Sequence, residues 1–230
     1  MRLTHFGHSC VLVEIADQRV LLDPGSFSSG FEGLRDLDAI LVTHQHPDHC
    51  DPQRFVPLVA ANPSARVLVE AQTAGQLREA GDLPRDIETL TGGGDIAIEA
   101  AGTSVTISPV GQRHAIIHAD IPRIDNTGVV LRAEGEPSFF HPGDALDAHP
   151  GAVDVLGVPV NAPWCAMKET VDFVRRIGAR RFVPIHDALL SATGRELYLR
   201  QIGNLGGQAV EGLELVDLAG RDEGVPFATS

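Results

Sequence analysis

The chain has 230 residues, of which 43% are hydrophobic and 21% charged, with 31 acidic side chains against 18 basic ones. Domains average roughly 150 residues, so this length predicts one domain over residues 1–230, large enough to bury a core without a structural metal. The net charge of −13 comes without any basic cluster. Nucleic acid is therefore not expected as a partner, because phosphate contacts need grouped Lys and Arg.

The cysteines and the first residues predict a compartment. Cys10, Cys50 and Cys165 are odd in number and show no CxxC spacing, which is typical of a reducing environment. The N-terminus lacks the apolar region of a signal peptide, and no run approaches the ~18 apolar residues of a membrane span. We therefore expect a cytoplasmic protein without a membrane partner.

The first third of the chain predicts alternating strands and helices. Compact apolar runs bounded by turn residues predict strands at 10–15, 19–23, 39–43 and 66–70. Helices are predicted at 52–61, with Asp51 as its cap and Pro52 in its first turn, and at 72–80, ending at Gly81.

The remainder is richer in strands. They are predicted at 95–100, 103–108, 128–133, 137–141, 153–158, 181–185 and 213–218. The first two are separated by Ala101-Gly102. Helices are predicted at 167–177 and 194–204, and the tail 220–230 is expected to fray. Antiparallel groups of strands with helices in both halves favour sheets sandwiched between helices.

One histidine-rich segment dominates the chemistry. Three of the ten histidines fall between positions 44 and 49, in the order His44, His46 and His49, with Asp48 before the last. Alternate residues of an extended chain point the same way, so His44 and His46 can converge on one ion. Pro47 then turns the chain and lets Asp48 and His49 face a second point. Imidazole and carboxylate suit zinc, and a site without thiolate also admits manganese or iron. The alternative interpretation is that residues 44–49 form a polar turn whose histidines lie on the surface.

Three further candidate ligands each follow a predicted strand: His114, Asp144 and His186. Residues at the ends of several strands can meet at one sheet edge, where a rigid scaffold holds them in place. These residues could therefore complete the ligand sets that the segment at 44–49 begins.

The order and spacing of these residues resemble the metallo-β-lactamase superfamily, and the compact length is similar to its ascorbate-phosphate lactonase group. The resemblance implies an α+β fold, a four-layer αββα sandwich. It also implies ligand roles: His44, His46 and His114 for a first metal, Asp48, His49 and His186 for a second, and Asp144 as a bridge. Asp23 matches the aspartate that supports the ligand loop. His46 stands where flavodiiron oxidoreductases of this fold carry Glu, which favours hydrolysis.

The function implied is a dinuclear metal-dependent hydrolase for a small molecule. Two divalent ions about 3.5–4 Å apart, zinc first and manganese or iron as alternatives, would bridge a hydroxide. The hydroxide would cleave an ester, a lactone or a phosphodiester, with Asp48 as the catalytic residue. The alternative is a metal-binding sensor or assembly protein without turnover. A homo-oligomer is left open.

Three residues have open roles at this level. His8 could reach the metals from the N-terminal strand, His118 could touch substrate or lie on the surface, and Trp164 could line the pocket or belong to the core. His141 is expected to pack or to support a ligand, and Cys50 to be a core thiol. Substrate selection is expected in the loops 24–36 and 112–127.

Overall fold

Two seven-stranded sheets form the centre of the molecule. The computed structural model describes residues 1–100 and 102–229. The first sheet has the order β14-β1-β2-β3-β4-β5-β6. Its strands are β1 (Arg2–His5), β2 (Val11–Ile15), β3 (Gln18–Leu22), β4 (Ala39–Val42), β5 (Arg66–Glu70), β6 (Glu88–Leu90) and β14 (Val225–Pro226). The second has the order β13-β12-β11-β10-β9-β8-β7. Its strands are β7 (Ile96–Ala100), β8 (Thr103–Val110), β9 (Gly128–Ala133), β10 (Phe139–His141), β11 (Val155–Pro159), β12 (Arg181–Ile185) and β13 (Glu214–Leu215).

Helices cover the outer face of each sheet. Helices α1 (Phe55–Ala61) and α2 (Ala71–Ala80) belong with the first sheet, and α3 (Met167–Ile177) and α4 (Ala192–Gly206) with the second. The order of layers is therefore helix, sheet, sheet, helix, which confirms the αββα sandwich of the α+β class.

The sandwich follows from the two-residue period of the strands. Leu22 and Leu41 face the core between the sheets, together with Leu131 and Val183 of the second sheet. Their neighbours turn the other way, as Leu21 does toward α1 and α2. Because successive side chains of a strand point to opposite faces, a sheet with apolar residues on both faces needs a partner layer on each side. All three cysteines are buried and free, and Cys50 packs in the outer core of the first sheet, as predicted.

Helix α1 begins later than the sequence indicated. The prediction of a helix over 52–61 was wrong at its start, because Asp51 Oδ1 accepts the Gln53 and Arg54 amides in a separate turn. The reason lies in Pro57. A proline is tolerated in the first turn of a helix, where its missing N–H leaves no bond unmade, but not further in. Starting at Phe55 keeps Pro57 in that first turn.

The C-terminal tail also differs from expectation. Residues 220–229 do not fray: β14 pairs with β1, and Phe227 is buried in the core between the sheets. Two short strands, β6 and β14, were not predicted, and the N-terminal strand that was expected without bounds is β1. Ala101, in the predicted break between two strands, and Ser230 lie outside the described residues. Within residues 1–100 and 102–229, no helix has both the length and the apolar character needed to cross a bilayer.

Candidate metal centre

The site begins with a buried carboxylate at the end of β3. Asp23 accepts hydrogen bonds from the Thr43 amide (2.8 Å) and hydroxyl (2.7 Å) and from His49 Nδ1 (2.7 Å). Since the Thr43 hydroxyl donates to Asp23, its oxygen is free to accept from His44 Nδ1, 3.1 Å away. Asp23 therefore orients His49 directly and His44 through Thr43, and both histidines turn Nε2 into the site, where His44 Nε2 lies 3.2 Å from His46 Nδ1.

Two more histidines are oriented by backbone carbonyls. His114 Nδ1 donates to the Ala115 carbonyl at 2.6 Å, and His186 Nδ1 donates to the Asn161 carbonyl at 2.7 Å. A proton held on Nδ1 fixes the tautomer and turns the lone pair of Nε2 inward, the arrangement expected around a metal ligand. His186 has a left-handed backbone with φ +56°, a strained conformation for a non-glycine residue that is typical of functional sites.

The oriented side chains form two groups within which the potential ligand atoms lie no more than 4.8 Å apart. The first contains His44, His46, His114 and Asp144, and the second contains His8, Asp48, His49 and His186. Asp144 connects them, because its Oδ1 lies 3.0 Å from His49 Nε2 and its Oδ2 lies 3.2 Å from His186 Nε2 and 3.3 Å from His114 Nε2.

The donor set fits a pair of cations. His49 Nε2, His186 Nε2 and Asp144 Oδ1 are buried and have no hydrogen-bond partner among the described residues. Nδ1 of each ring donates to its own acceptor, and Nε2 faces the Asp144 carboxylate at 3.0 Å in His49 and 3.2 Å in His186. Positive charge is required at these atoms, since buried acceptors without partners are costly. Protons on Nε2 supply it in the metal-free protein, and cations bound in their place would supply it in the loaded one. Nitrogen and oxygen donors without thiolate suit zinc, iron or manganese.

The charge states agree with a ligand role for the first group. Burial, reinforced by the charge of His49, holds the pKa of His44 well below its usual value, and burial with the charge of His114 lowers the pKa of His46. Both rings are therefore neutral at pH 7, the form that binds a metal. Burial alone would raise the pKa of Asp144, but the charges of His49 and His186 outweigh it and hold this pKa well below its usual value.

His8 is the fourth member of the second group and is 1% exposed. The Ala188 amide donates to His8 Nδ1 (3.4 Å), so the neutral ring carries its proton on Nε2, which donates to Asp48 Oδ2 at 3.0 Å. Burial lowers the pKa of His8, which favours this neutral form. Burial raises the pKa of Asp48, but the hydrogen bond from His8 and the charge of His49 prevail, and this pKa falls to about 2.

Asp144 is held by contacts from several loops. Asn126 Oδ1 accepts its amide at 2.9 Å, and Trp164 Nε1 donates to its Oδ2 at 3.2 Å. Gly143 has φ +61°, and a Cβ there would lie 2.3 Å from Asn126 Oδ1. Only glycine lets the chain pass this point, so the close packing beneath Asp144 depends on Gly143.

The structure brings together all seven residues that the sequence singled out as ligands: His44, His46, Asp48, His49, His114, Asp144 and His186. Of the open residues, His8 and Trp164 lie at the site, whereas the exposed His118 lies beside Asp120. His141 is buried behind the site and bonds to the Ser9 carbonyl. The supports from Thr43, Asn126 and the Asn161 carbonyl were missed, because no local pattern marks them.

The amino-acid sequence is similar to those of known proteins. Residues 2–186 match the model of a family described as the beta-lactamase superfamily domain. Protein Rv0786c of Mycobacterium tuberculosis is 43% identical over 199 residues, which cover 86% of this chain and 89% of the relative. A UPF0173 metal-dependent hydrolase of Methanosphaerula palustris is 33% identical over 202 residues, covering 81% of this chain and 83% of the relative.

A solved structure extends the likeness in fold. Igni18, a metallo hydrolase from the hyperthermophilic archaeon Ignicoccus hospitalis, has a TM-score of 0.69 and covers 100% of this chain and 99% of its own. It is 18% identical in sequence, so the likeness concerns the fold alone.

Proposed function

Because this chain belongs to the beta-lactamase superfamily, we propose that it is a metal-dependent hydrolase that uses two divalent cations to cleave a small ester or lactone. A phosphodiester is the second substrate class. The observation that carries the proposal is the convergence of the inward-facing Nε2 atoms of His49 and His186 on the buried carboxylate of Asp144. Relatives that bear the name metal-dependent hydrolase support it.

The ligand sets follow from the two groups. His44, His46 and His114 would hold one cation, Asp48, His49 and His186 the other, and Asp144 would serve both. Zinc is proposed first, with iron or manganese as alternatives. Such a pair of cations lowers the pKa of a water toward ~7 and neutralises the negative charge that develops on the substrate.

The chain itself supplies proton transfer and orientation. Asp48 is ionised at neutral pH because its pKa is about 2, so its carboxylate can accept a hydrogen bond from the attacking water and relay the proton of that water. His8 holds Oδ2 of this carboxylate, which leaves Oδ1 to receive the proton and deliver it to the departing alkoxide. The water oxygen bonds to the carbonyl carbon, and the bond from that carbon to the alkoxide oxygen breaks. Asp48 is thus assigned as the catalytic acid and base.

The test combines metal content with turnover. Protein stripped by a chelator and reloaded with zinc should approach about two ions per chain, as a two-metal site requires. It should then hydrolyse chromogenic esters or lactones in a chelator-sensitive manner. A reloaded ratio that never exceeds one contradicts the dinuclear site. Full loading without turnover of any ester, lactone or diester would instead favour a metal sensor or assembly protein.

A further inference from the structure

Large apolar side chains are exposed mainly on the loops that carry the candidate metal centre. Among the described residues, six such side chains are exposed: Phe27, Ile116, Ile121, Leu189, Leu197 and Leu215. The first four lie on loops that contain or contact His8, His114 or His186, and we call them the apolar rim. Single exposed apolar residues are ordinary, but a set gathered at one site marks a ligand or a partner.

Each part of the rim is tied to the site by a contact or by short sequence distance. The Phe27 ring meets the His8 ring edge-on, with centroids 5.2 Å apart. Leu189 follows Ala188, whose amide donates to His8. Ile116 is 63% exposed and comes two residues after His114.

A cavity shares Ile116 with the rim and includes Trp164, which contacts Asp144. Its volume is about 470 Å³, and its apolar lining consists of Ala115, Ile116, Leu146, Trp164 and Phe173. Two of these residues bond to Asp144 itself, since the Ala115 amide donates to its carbonyl at 2.8 Å and Trp164 donates to its carboxylate at 3.2 Å. This volume falls in the range of small-molecule sites, roughly 300–1,000 Å³.

The charges around the cavity disfavour an anionic ligand. Arg123 and Arg176 line it, but so do three carboxylates, those of Asp147, Glu169 and Asp172. Both guanidinium groups are already engaged with the protein: Arg123 donates to the His114 carbonyl, and Arg176 donates to the carbonyls of Leu146 and Ala148. With two guanidinium groups against three carboxylates, the cavity wall offers a phosphate or carboxylate no net attraction.

Building on the proposed function, we infer that the substrate is an uncharged ester or lactone whose alkyl or aryl group enters the cavity beside Trp164, under the apolar rim. The reacting carbonyl would lie at the candidate metal centre, next to Asp144. The inference narrows the proposed substrates to neutral esters and lactones and sets phosphodiesters aside.

The first experiment measures kcat/KM of the zinc-reloaded protein on p-nitrophenyl esters from acetate to octanoate. Burial of each added methylene should raise kcat/KM by about two- to fourfold until the cavity is full. The anionic p-nitrophenyl hemisuccinate should be slower than the butyrate by about tenfold, since its carboxylate faces like charges. A series without dependence on chain length, or a preference for the anion, overturns the inference.

Matched variants locate the effect. Ile116→Ser should reduce the gain per methylene, whereas Leu197→Ser, at an equally apolar and 44% exposed position on α4, should keep it. Equal effects of the two substitutions contradict a role for the rim. If light scattering shows a dimer that Ile116→Ser dissociates while the ester series stays intact, the rim is a subunit interface and the inference fails.

A second readout does not need turnover. Trp164 is the single tryptophan of the chain, so its fluorescence reports directly on the cavity. Methyl alkyl ketones from butanone to decanone should bind more tightly with length, and Ile116→Ser should weaken the longer ones. Such binding without turnover of any ester would refute the proposed hydrolysis and support the cavity. Turnover with no length dependence in either assay would refute the cavity and leave the hydrolysis standing.

Discussion

Replacing Asp23 by Asn should weaken metal binding because it changes the tautomer of His49, a residue that is not itself substituted. The Thr43 amide must keep an acceptor, so the Asn oxygen faces it and the Asn amide nitrogen takes the place of Oδ2. That nitrogen is a donor and lies opposite His49 Nδ1. The ring would respond by carrying its proton on Nε2, the atom proposed to bind the cation.

The magnitude follows from the hydrogen bond that has to be broken. Returning the His49 proton to Nδ1 would set two donors against each other in a fully buried site, a loss of about 1–3 kcal/mol. At about 1.4 kcal/mol per tenfold, this corresponds to a ~5- to 150-fold weaker affinity, which agrees with the ~10–100-fold effects of residues that support metal ligands. The fold should survive, because the Asn oxygen retains the bond from the Thr43 amide.

The affinity is measured by competition with a zinc-binding indicator, and the tautomer of His49 by the ¹⁵N shifts of its ring. Asp51→Asn is the matched control, because Asp51 is also a buried carboxylate that accepts backbone amides, but it bonds to Arg54 instead of a histidine. His46→Ala, which removes a ligand outright, should abolish activity. Unchanged affinity in Asp23→Asn, a proton that stays on Nδ1, or damage equal to His46→Ala in a folded protein would refute the reasoning.

Three further outcomes are expected. His8→Ala should lower kcat by about 10–100-fold, and His8→Gln should restore part of it by donating to Asp48; identical losses would show that the hydrogen bond is irrelevant. Burial lowers the pKa of His49 and of His186, but the charge of Asp144 outweighs it and raises both, whereas the pKa values of His44 and His46 are lowered. A raised pKa means that protons compete with the cation up to a higher pH. On acidification, the group with His49 and His186 should therefore release its ion before the group with His44 and His46, which a titration with a zinc indicator measures. Simultaneous release would contradict this order. Gly143→Ala should lower the free energy of unfolding by about 1–3 kcal/mol in urea melts, because its Cβ meets Asn126, whereas Gly135→Ala, also at positive φ but in open space, should cost less.

The sequence alone determined the features that depend on short distances along the chain. The segment from His44 to His49 places four potential ligands after a buried strand, and their convergence needs only the extended geometry of that strand and the turn at Pro47. Successive side chains of β3 and β4, such as Leu21 and Leu22, likewise point to opposite faces of the sheet, and this holds whichever layers pack against those faces. For this reason the ligand candidates at 44–49 could be predicted without any knowledge of packing, whereas the four-layer order was implied by the family resemblance.

Tertiary structure decided whatever depends on partners distant in sequence. The tautomer of His8 is set by the amide of Ala188, 180 residues away, and that of His186 by the carbonyl of Asn161. Trp164 lies at the site because of its bond to Asp144, and the tail is ordered because β14 pairs with β1. Hydrogen bonds of this kind leave no periodicity in the sequence, since a backbone amide or carbonyl is present at nearly every position and only the folded chain selects which one meets a given side chain.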